Sequence, residues 1–323
     1  MHLCDAMFAG NPLQFAAHNV RLIRRFWTGV RDGDSESIHQ ARIATRRARA
    51  ALKIIDGKET ERLELCRRLG RMLGKVRELD ITQEVFQGLS MRVPPASYAI
   101  AAARRTVERD QRQARRRFAK ALDHLELRPL LALRDRPSIT VVSFWKDWRR
   151  SIVTETLARQ QALCDAIERT PAVYMPNRVH RVRIATKKLR YTLEVANATG
   201  IRVDQDVMRD LHKIQDLLGR VHDIDVARRV LQQLDGTGKP IADEVALLDA
   251  VMAADCAALH EKYLARRERI RAACDYCTEV VAAARRRWSL ALVKRTLSAA
   301  GLVAVPVAMS RLAAGRGREG SHA

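Results

Sequence analysis

The sequence is poor in the residues that interrupt helices. Among 323 residues there are 15 Gly and 9 Pro. The prolines fall between periodic stretches rather than inside them, which excludes a loop-rich or Pro/Gly-rich disordered chain. Cysteine is also scarce: six residues at positions 4, 66, 164, 256, 274 and 277, too sparse for a disulfide framework and in keeping with a reducing cytoplasm. The solitary pair Cys274 and Cys277 lacks the second pair that a structural zinc site needs, so neither zinc nor another metal is expected. Aromatic residues make up 5% and leave few platforms for stacked bases. No run of about 18 apolar residues occurs; the best stretch, 299–309, is broken by Pro306, so no membrane span is expected. The N-terminal residues MHLCDAMFAGNPLQ lack a basic start followed by an apolar run, and no secretory signal is expected. P-loops, Gly-rich phosphate cradles and nucleophile elbows are missing as well.

Positive charge is what the chain has in excess. Lys and Arg number 59 against 37 Asp and Glu, a formal charge of +22, and 48 of the cations are Arg. Such a self-repelling chain calls for an anionic partner. Arg presents a planar fork matched to phosphate oxygens. With 47% hydrophobic residues a packed core is available, and wholesale disorder is excluded.

Apolar periodicity predicts an all-α chain with long helices at about 12–31, 36–56, 58–90, 95–125, 138–169, 174–199, 202–234 and 240–286. A short ninth helix is expected at about 288–300, followed by a basic tail over 301–323. An internal repeat organises these helices. Ile38–Arg49 aligns with Val179–Arg190 at an offset of 141 with six of twelve residues identical, where average usage predicts about one. Leu73–Asp80 aligns with Leu218–Asp225 at an offset of 145. Two motifs in the same order at nearly one offset indicate a duplicated half. Residues 1–135 and 136–300 are expected to form equivalent four-helix units joined near Pro129–Pro137.

On a helix, His39, Arg42, Arg46, Arg49 and Lys53 are spaced 3, 4, 3 and 4 and line one narrow stripe. His180, Arg183, Lys187 and Arg190 repeat it, with Glu194 in place of the fifth cation. Ala44, Ala48, Leu52 and Ile55, and in the second copy Val182, Ala185, Leu189 and Leu193, lie on a different face and are expected in the core. Each motif helix therefore has a core face and a separate cationic seam. Like charges three and four apart cost a few tenths of a kcal/mol per pair, a repulsion that a bound polyanion relieves. A charged stripe on one helix can equally be a solvated face; its recurrence position by position in both halves favours a ligand. Arg47 and Lys188 lie off the stripe and are expected to matter less.

The second motif carries Arg68, Arg71 and Lys75, matched by Lys213, Asp216 and Arg220. Gly74 and Gly219 sit in mid-helix at about 1 kcal/mol each relative to Ala, which suggests close approach of another helix. Asp80 and Asp225 are expected to pair with basic residues of a neighbouring helix rather than to act as catalytic carboxylates. Further stripes at Arg105, Arg109, Arg112 and Arg116, and at Lys262, Arg266 and Arg269, either line the same site or face solvent. His39 and His180 each have cations at i+3 and i+7, which repel a metal ion. Beside arginines they are expected to stay neutral until phosphate arrives.

The two copies HQARIATRRAR and HRVRIATKKLR, followed by LGKVRELD and LGRVHDID, resemble the CHAD family, the conserved histidine α-helical domain. The resemblance spans about residues 12–290. It implies two four-helix bundles related by a pseudo-twofold axis, with the His/Arg/Lys seams facing a central basic cavity that binds inorganic polyphosphate. It also implies association with polyphosphate-containing storage granules in the bacterial cytoplasm. Two positions depart from the family pattern: Ala48, where Leu is usual, and Glu194. The metalloenzyme domain attached to some members, marked by a Glu-x-Glu-x-Lys strand, is not expected, because Glu59-Thr60-Glu61 lacks the Lys and lies in a helical segment.

The expectation is therefore a non-enzymatic polyphosphate binder without a cofactor. Its site draws on both seams and on Arg68, Lys75, Lys213, Arg220, Arg105, Arg109, Arg112 and Arg266. A nucleic-acid-binding protein that uses the same helices is the first alternative. A polyphosphate hydrolase is the second, and would need a metal-binding carboxylate cluster.

Overall fold

A computed structural model describes residues 11–57, 59–134, 141–234 and 239–299; the expected basic tail lies outside them. Among these residues every regular element is helical. In chain order they are α1 (Pro12–Arg25), α2 (Trp27–Asp32), α3 (Ser35–Asp56), α4 (Glu61–Arg92), α5 (Ser97–Asp123), α6 (Arg128–Leu131), α7 (Val141–Glu168), α8 (Pro176–Ala198), α9 (Gln205–Gln232), α10 (Lys239–Leu264) and α11 (Arg267–Ala299), with short 3-10 turns at Pro94–Ala96 and Ala132–Arg134.

The ends of these helices follow from local chemistry. Asn11 accepts from Leu13 N at 2.8 Å, and Pro12 opens α1. Asp34 accepts from Ser37 N at 2.7 Å ahead of α3, and Thr60 caps α4. Gly57, at φ 65°, ends α3 in a conformation that L side chains rarely adopt. Two expected boundaries move. The first helix is interrupted at Phe26, where ψ opens to 0°. The eighth is broken at Ala265–Arg266, and the segment beyond it runs unbroken to Ala299, absorbing the expected ninth helix.

The chain forms two compact units, Met1–Thr278 and Glu279–Ala323. In the first, α3 packs between α1 and α4, and α8 packs between α7 and α9. The α4–α5 pair is matched by α9–α10. Equivalent helices also meet each other: α3 touches α8, α4 touches α9, and α5 touches α10. One apolar cluster gathers Leu79, Phe86 and Leu89 of α4 and Ile100 and Val107 of α5 with Ala227 and Leu231 of α9 and Leu248 and Met252 of α10. Removing such side chains from water contributes about 1.5–3 kcal/mol each, so the two repeats share a core here. The expected core faces are buried: Ala44, Ala48 and Leu52 on α3, and Val182, Ala185, Leu189 and Leu193 on α8. Ile55 is only half-buried; its neighbour Ile54 takes the core position. In the second unit, residues 279–299 continue α11 as helix.

Candidate anion-binding site

The packing of α3 on α8 turns the two seams toward each other. Lys187 is held down to about 6, first by burial and then by Arg46, Arg183, Arg42 and Arg49. Arg42 is lowered to about 10 by burial, then by Arg46, with Arg183 adding to the effect. Burial lowers Arg183 too; Asp223 opposes this and Arg46 reinforces it. Arg42, Arg46, Arg49, Arg183 and Lys187 therefore form one cluster drawn from two helices. Among the described residues no carboxylate lies within ion-pair distance of any of the five. Arg42 Nε and the neighbouring His39 Nδ1 are buried without a hydrogen-bond partner. Arg49 is the most open of the five.

Histidines flank the cluster in matched pairs. Burial lowers His39, and Arg77 lowers it further. His180 is lowered by burial, then by Arg183 and Lys187. The His180 ring lies 5.0 Å from that of His222, which burial, then Arg183, pushes down to about 3. Arg77 and His222 occupy the same place in the second motif, at the 145-residue offset. Burial and the neighbouring cations thus hold both seam histidines below the ordinary imidazole value.

Two carboxylates reach the cluster from α4 and α9. Asp223 is raised by burial, with Arg183, Arg42 and Arg77 acting against the rise. Glu78, its counterpart in the first motif, acts on Arg183 and on Asp223. Sequence reasoning singled out none of Arg77, Glu78, His222 and Asp223. Their signal was their matched placement in LGKVRELD and LGRVHDID, one turn beyond the mid-helix glycines.

Other expected site residues are placed elsewhere. Arg190 is 3% exposed. Its Nε donates to Gln215 Oε1 at 2.8 Å, and its Nη1 bonds Glu194 and lies 3.2 Å from a ring nitrogen of His212. Glu194, which stands where the first seam has Lys53, also accepts from Arg47 Nε at 2.7 Å across the two repeats. The carboxylate occupies Arg190 and makes Arg47 a structural partner. Lys53 Nζ donates to Gly57 O at 3.2 Å. Arg68, Lys213 and Arg220 are exposed, and Lys75 pairs with Glu78 at 3.2 Å.

Helix α5 packs on α4, α9 and α10, and its stripe of Arg105, Arg109, Arg112 and Arg116 is turned to solvent. Arg115 of the same helix faces inward, donating to Gly33 O at 2.7 Å and to Asp80 Oδ1 at 3.1 Å. Arg266 is exposed on the rim of a hollow at α9 and the start of α11, with Arg269, Asp210 and Ile214.

The expected basic partner is present for Asp80; among the described residues none is hydrogen-bonded to Asp225. Asp225 accepts from Tyr174 OH at 2.6 Å and from Cys256 Sγ at 3.8 Å, both neutral donors. The mid-helix glycines do not mark close helix approach. A Cβ on Gly74 would meet only Arg42 Nε, at 3.8 Å, and one on Gly219 would meet nothing within 4 Å.

The fold has counterparts among solved structures. A crystal structure of the CHAD domain from the plant Ricinus communis superposes with a TM-score of 0.59 at 24% identity, over 84% of this chain and 93% of that one. PptA from Streptomyces chartreusis superposes with a TM-score of 0.60 at 17% identity, over 80% and 98%. At these identities the likeness is one of fold. No curated protein matches in sequence. The CHAD domain family model matches residues 14–232, which contain both motif pairs and all five clustered cations. With two thirds of its length matched, and with a fold shared with a solved CHAD domain, the chain belongs to the CHAD domain family.

Proposed function

We propose that the chain is a non-catalytic protein that binds inorganic polyphosphate between α3 and α8. The observation that carries this reading is the cluster of Arg42, Arg46, Arg49, Arg183 and Lys187, crowded together with no carboxylate among the described residues paired to any of them. Burial of unpaired cations is costly, and a phosphate chain supplies the missing charge. Such a chain presents repeated charge without bases, so spaced cations suffice: Arg forks bind phosphate oxygens in pairs and Lys acts as a point charge. Rigid helices hold these groups in place before the ligand arrives.

Residues 1–135 and 136–300 read as two duplicated four-helix bundles. The matched helix contacts and the facing of equivalent helices support that reading. The solvent-facing cations of α5 and Arg266 are left out of the central grip. The flanking carboxylates Glu78 and Asp223 face arginines, which supports binding rather than hydrolysis. Among the described residues no helix is long and apolar enough to cross a membrane, and family membership supports a place on polyphosphate-containing granules in the cytoplasm.

A competition assay tests the reading. Labelled polyphosphate should be displaced by unlabelled polyphosphate and not by DNA of equal phosphate content. Equal displacement by DNA would favour a nucleic-acid ligand. Release of labelled phosphate in the presence of magnesium or manganese would make the protein a hydrolase.

A further inference from the structure

We propose that ligand binding at this cluster is proton-linked: Lys187 takes up a proton from solvent at Nζ as a polyphosphate chain enters. The inference rests on the polyphosphate reading and adds how the site is regulated.

The argument starts from the composition of the cluster. Four of its five cations are arginines, and a guanidinium does not release its proton in a protein. Lys187 is the one member that can. It lies on α8 against α3, and the charges that act most on it, Arg42, Arg46 and Arg49 of α3 and Arg183 of its own helix, are all positive. On its α9 side stands His222, packed at 5.0 Å against His180 of α8, both neutral bases.

Carboxylates act on the arginines of the cluster rather than on Lys187. Asp223 of α9 faces Arg183 and Arg42, and Glu78 of α4 acts on Arg183. From α7, Arg159 and Glu155 act on Lys188. From α1, His18 faces Arg47. Repulsion in the empty site is therefore relieved at Lys187, which burial and four guanidiniums hold at about 6, so its amine is neutral at pH 7. A polyphosphate chain laid along the seams reverses the sign of its surroundings and restores the ammonium ion. The position equivalent to Lys187 in the first seam is Arg46, so the response belongs to one half only.

Calorimetry with long polyphosphate chains at pH 8, in two buffers of different ionisation enthalpy, counts the protons directly. Long chains are used because their interior phosphates stay ionised. The expected result is uptake of about one proton per bound chain, with affinity rising about tenfold per pH unit as pH falls from 8 toward 6. Lys187→Arg keeps the charge at every pH; it should bind at least as tightly at pH 8 and lose most of the uptake. Lys187→Met, which fits the same space without charge, should bind weakly and tighten much less on acidification than the parent protein, the remainder coming from the histidines beside the cluster.

In the free protein, the 15N resonance of Lys187 Nζ should titrate near pH 6 rather than near 10.5. Binding without proton uptake, or undiminished uptake by Lys187→Arg, would overturn the proposal and leave the polyphosphate reading standing. Failure to bind polyphosphate even at pH 5.5, where Lys187 is charged, would overturn both.

Discussion

Seam and scaffold lie on the same helix, so they can be separated by paired substitutions. Arg46→Ala combined with Lys187→Ala removes two of the five clustered cations. Neither makes an ion pair in the free protein, so no partner is stranded. The like-charge contacts removed are worth a few tenths of a kcal/mol each, so thermal stability should hold or rise slightly. The effect on polyphosphate should be large. Two charge-assisted contacts at about 1.5–3 kcal/mol each sum to about 3–6 kcal/mol, a loss of roughly 10²–10⁴ in affinity.

Leu52→Ala, at a fully buried position on the core face of α3, should behave in the reverse way. Truncation of a buried Leu costs about 2–5 kcal/mol. At about 2–4 °C per kcal/mol for a unit of this size, Tm should fall by about 4–20 °C, with affinity unchanged below the melting range. Lys188→Ala, on an exposed position beside the seam, is the control; Arg47 cannot serve, because it pairs with Glu194. Calorimetric titration and thermal melts of the same preparations supply both readouts. If the seam pair lowers Tm as much as Leu52→Ala does, the cations are structural partners and the binding argument is refuted.

Other outcomes follow from the same geometry. Polyphosphate affinity should fall linearly with log salt, with a slope of about −0.7 per neutralised phosphate and near −3.5 for about five; an affinity indifferent to salt would mean contacts that are not ionic. Arg190→Ala leaves Gln215 without its donor and Glu194 with Arg47 as its remaining partner, so Tm should drop by the equivalent of about 1–3 kcal/mol while the folded protein keeps its affinity. A large affinity loss at unchanged Tm would return Arg190 to the binding site. Asp223→Asn removes the carboxylate facing Arg42 and Arg183 and should tighten polyphosphate binding several-fold; weaker binding in a folded variant would contradict that placement.

The free protein should also lose stability on acidification. His39, His180, His212, His222 and Lys187 all have lowered folded values, so the unfolded chain binds more protons and stability rises with pH. The window runs from about 6 to 10.5 for Lys187 and from about 3 to 6.5 for His222; Asp223, raised by burial, opposes this in part. Tm measured by calorimetry should therefore fall from pH 8 to pH 5, by less in Lys187→Met, and a Tm that rises on acidification would refute the sign.

Helical periodicity, the repeated motif and the helix face shared by each seam's residues were legible in the sequence. All three depend on residues three and four apart on one helix, and that spacing is a local property of the backbone. Hence the spacing alone assigns Leu52, Leu189 and Leu193 to the core, and Arg42, Arg46, Arg183 and Lys187 to a common kind of face. What the sequence alone could not decide was which cations remain unpaired. That depends on helices brought together across more than a hundred residues.

Glu194, one turn after Arg190, occupies both Arg190 and Arg47 and ends the second seam early. Asp223 and Glu78 approach the arginines from other helices. The evenly spaced arginines of α5 resemble a seam along the chain, yet they face solvent because their helix turns its apolar side to α4, α9 and α10. Spacing along one helix specifies a face. Whether that face meets water, a carboxylate or another cation is set by tertiary packing, because Coulomb interactions and desolvation act between groups that are near in space and not merely near in sequence.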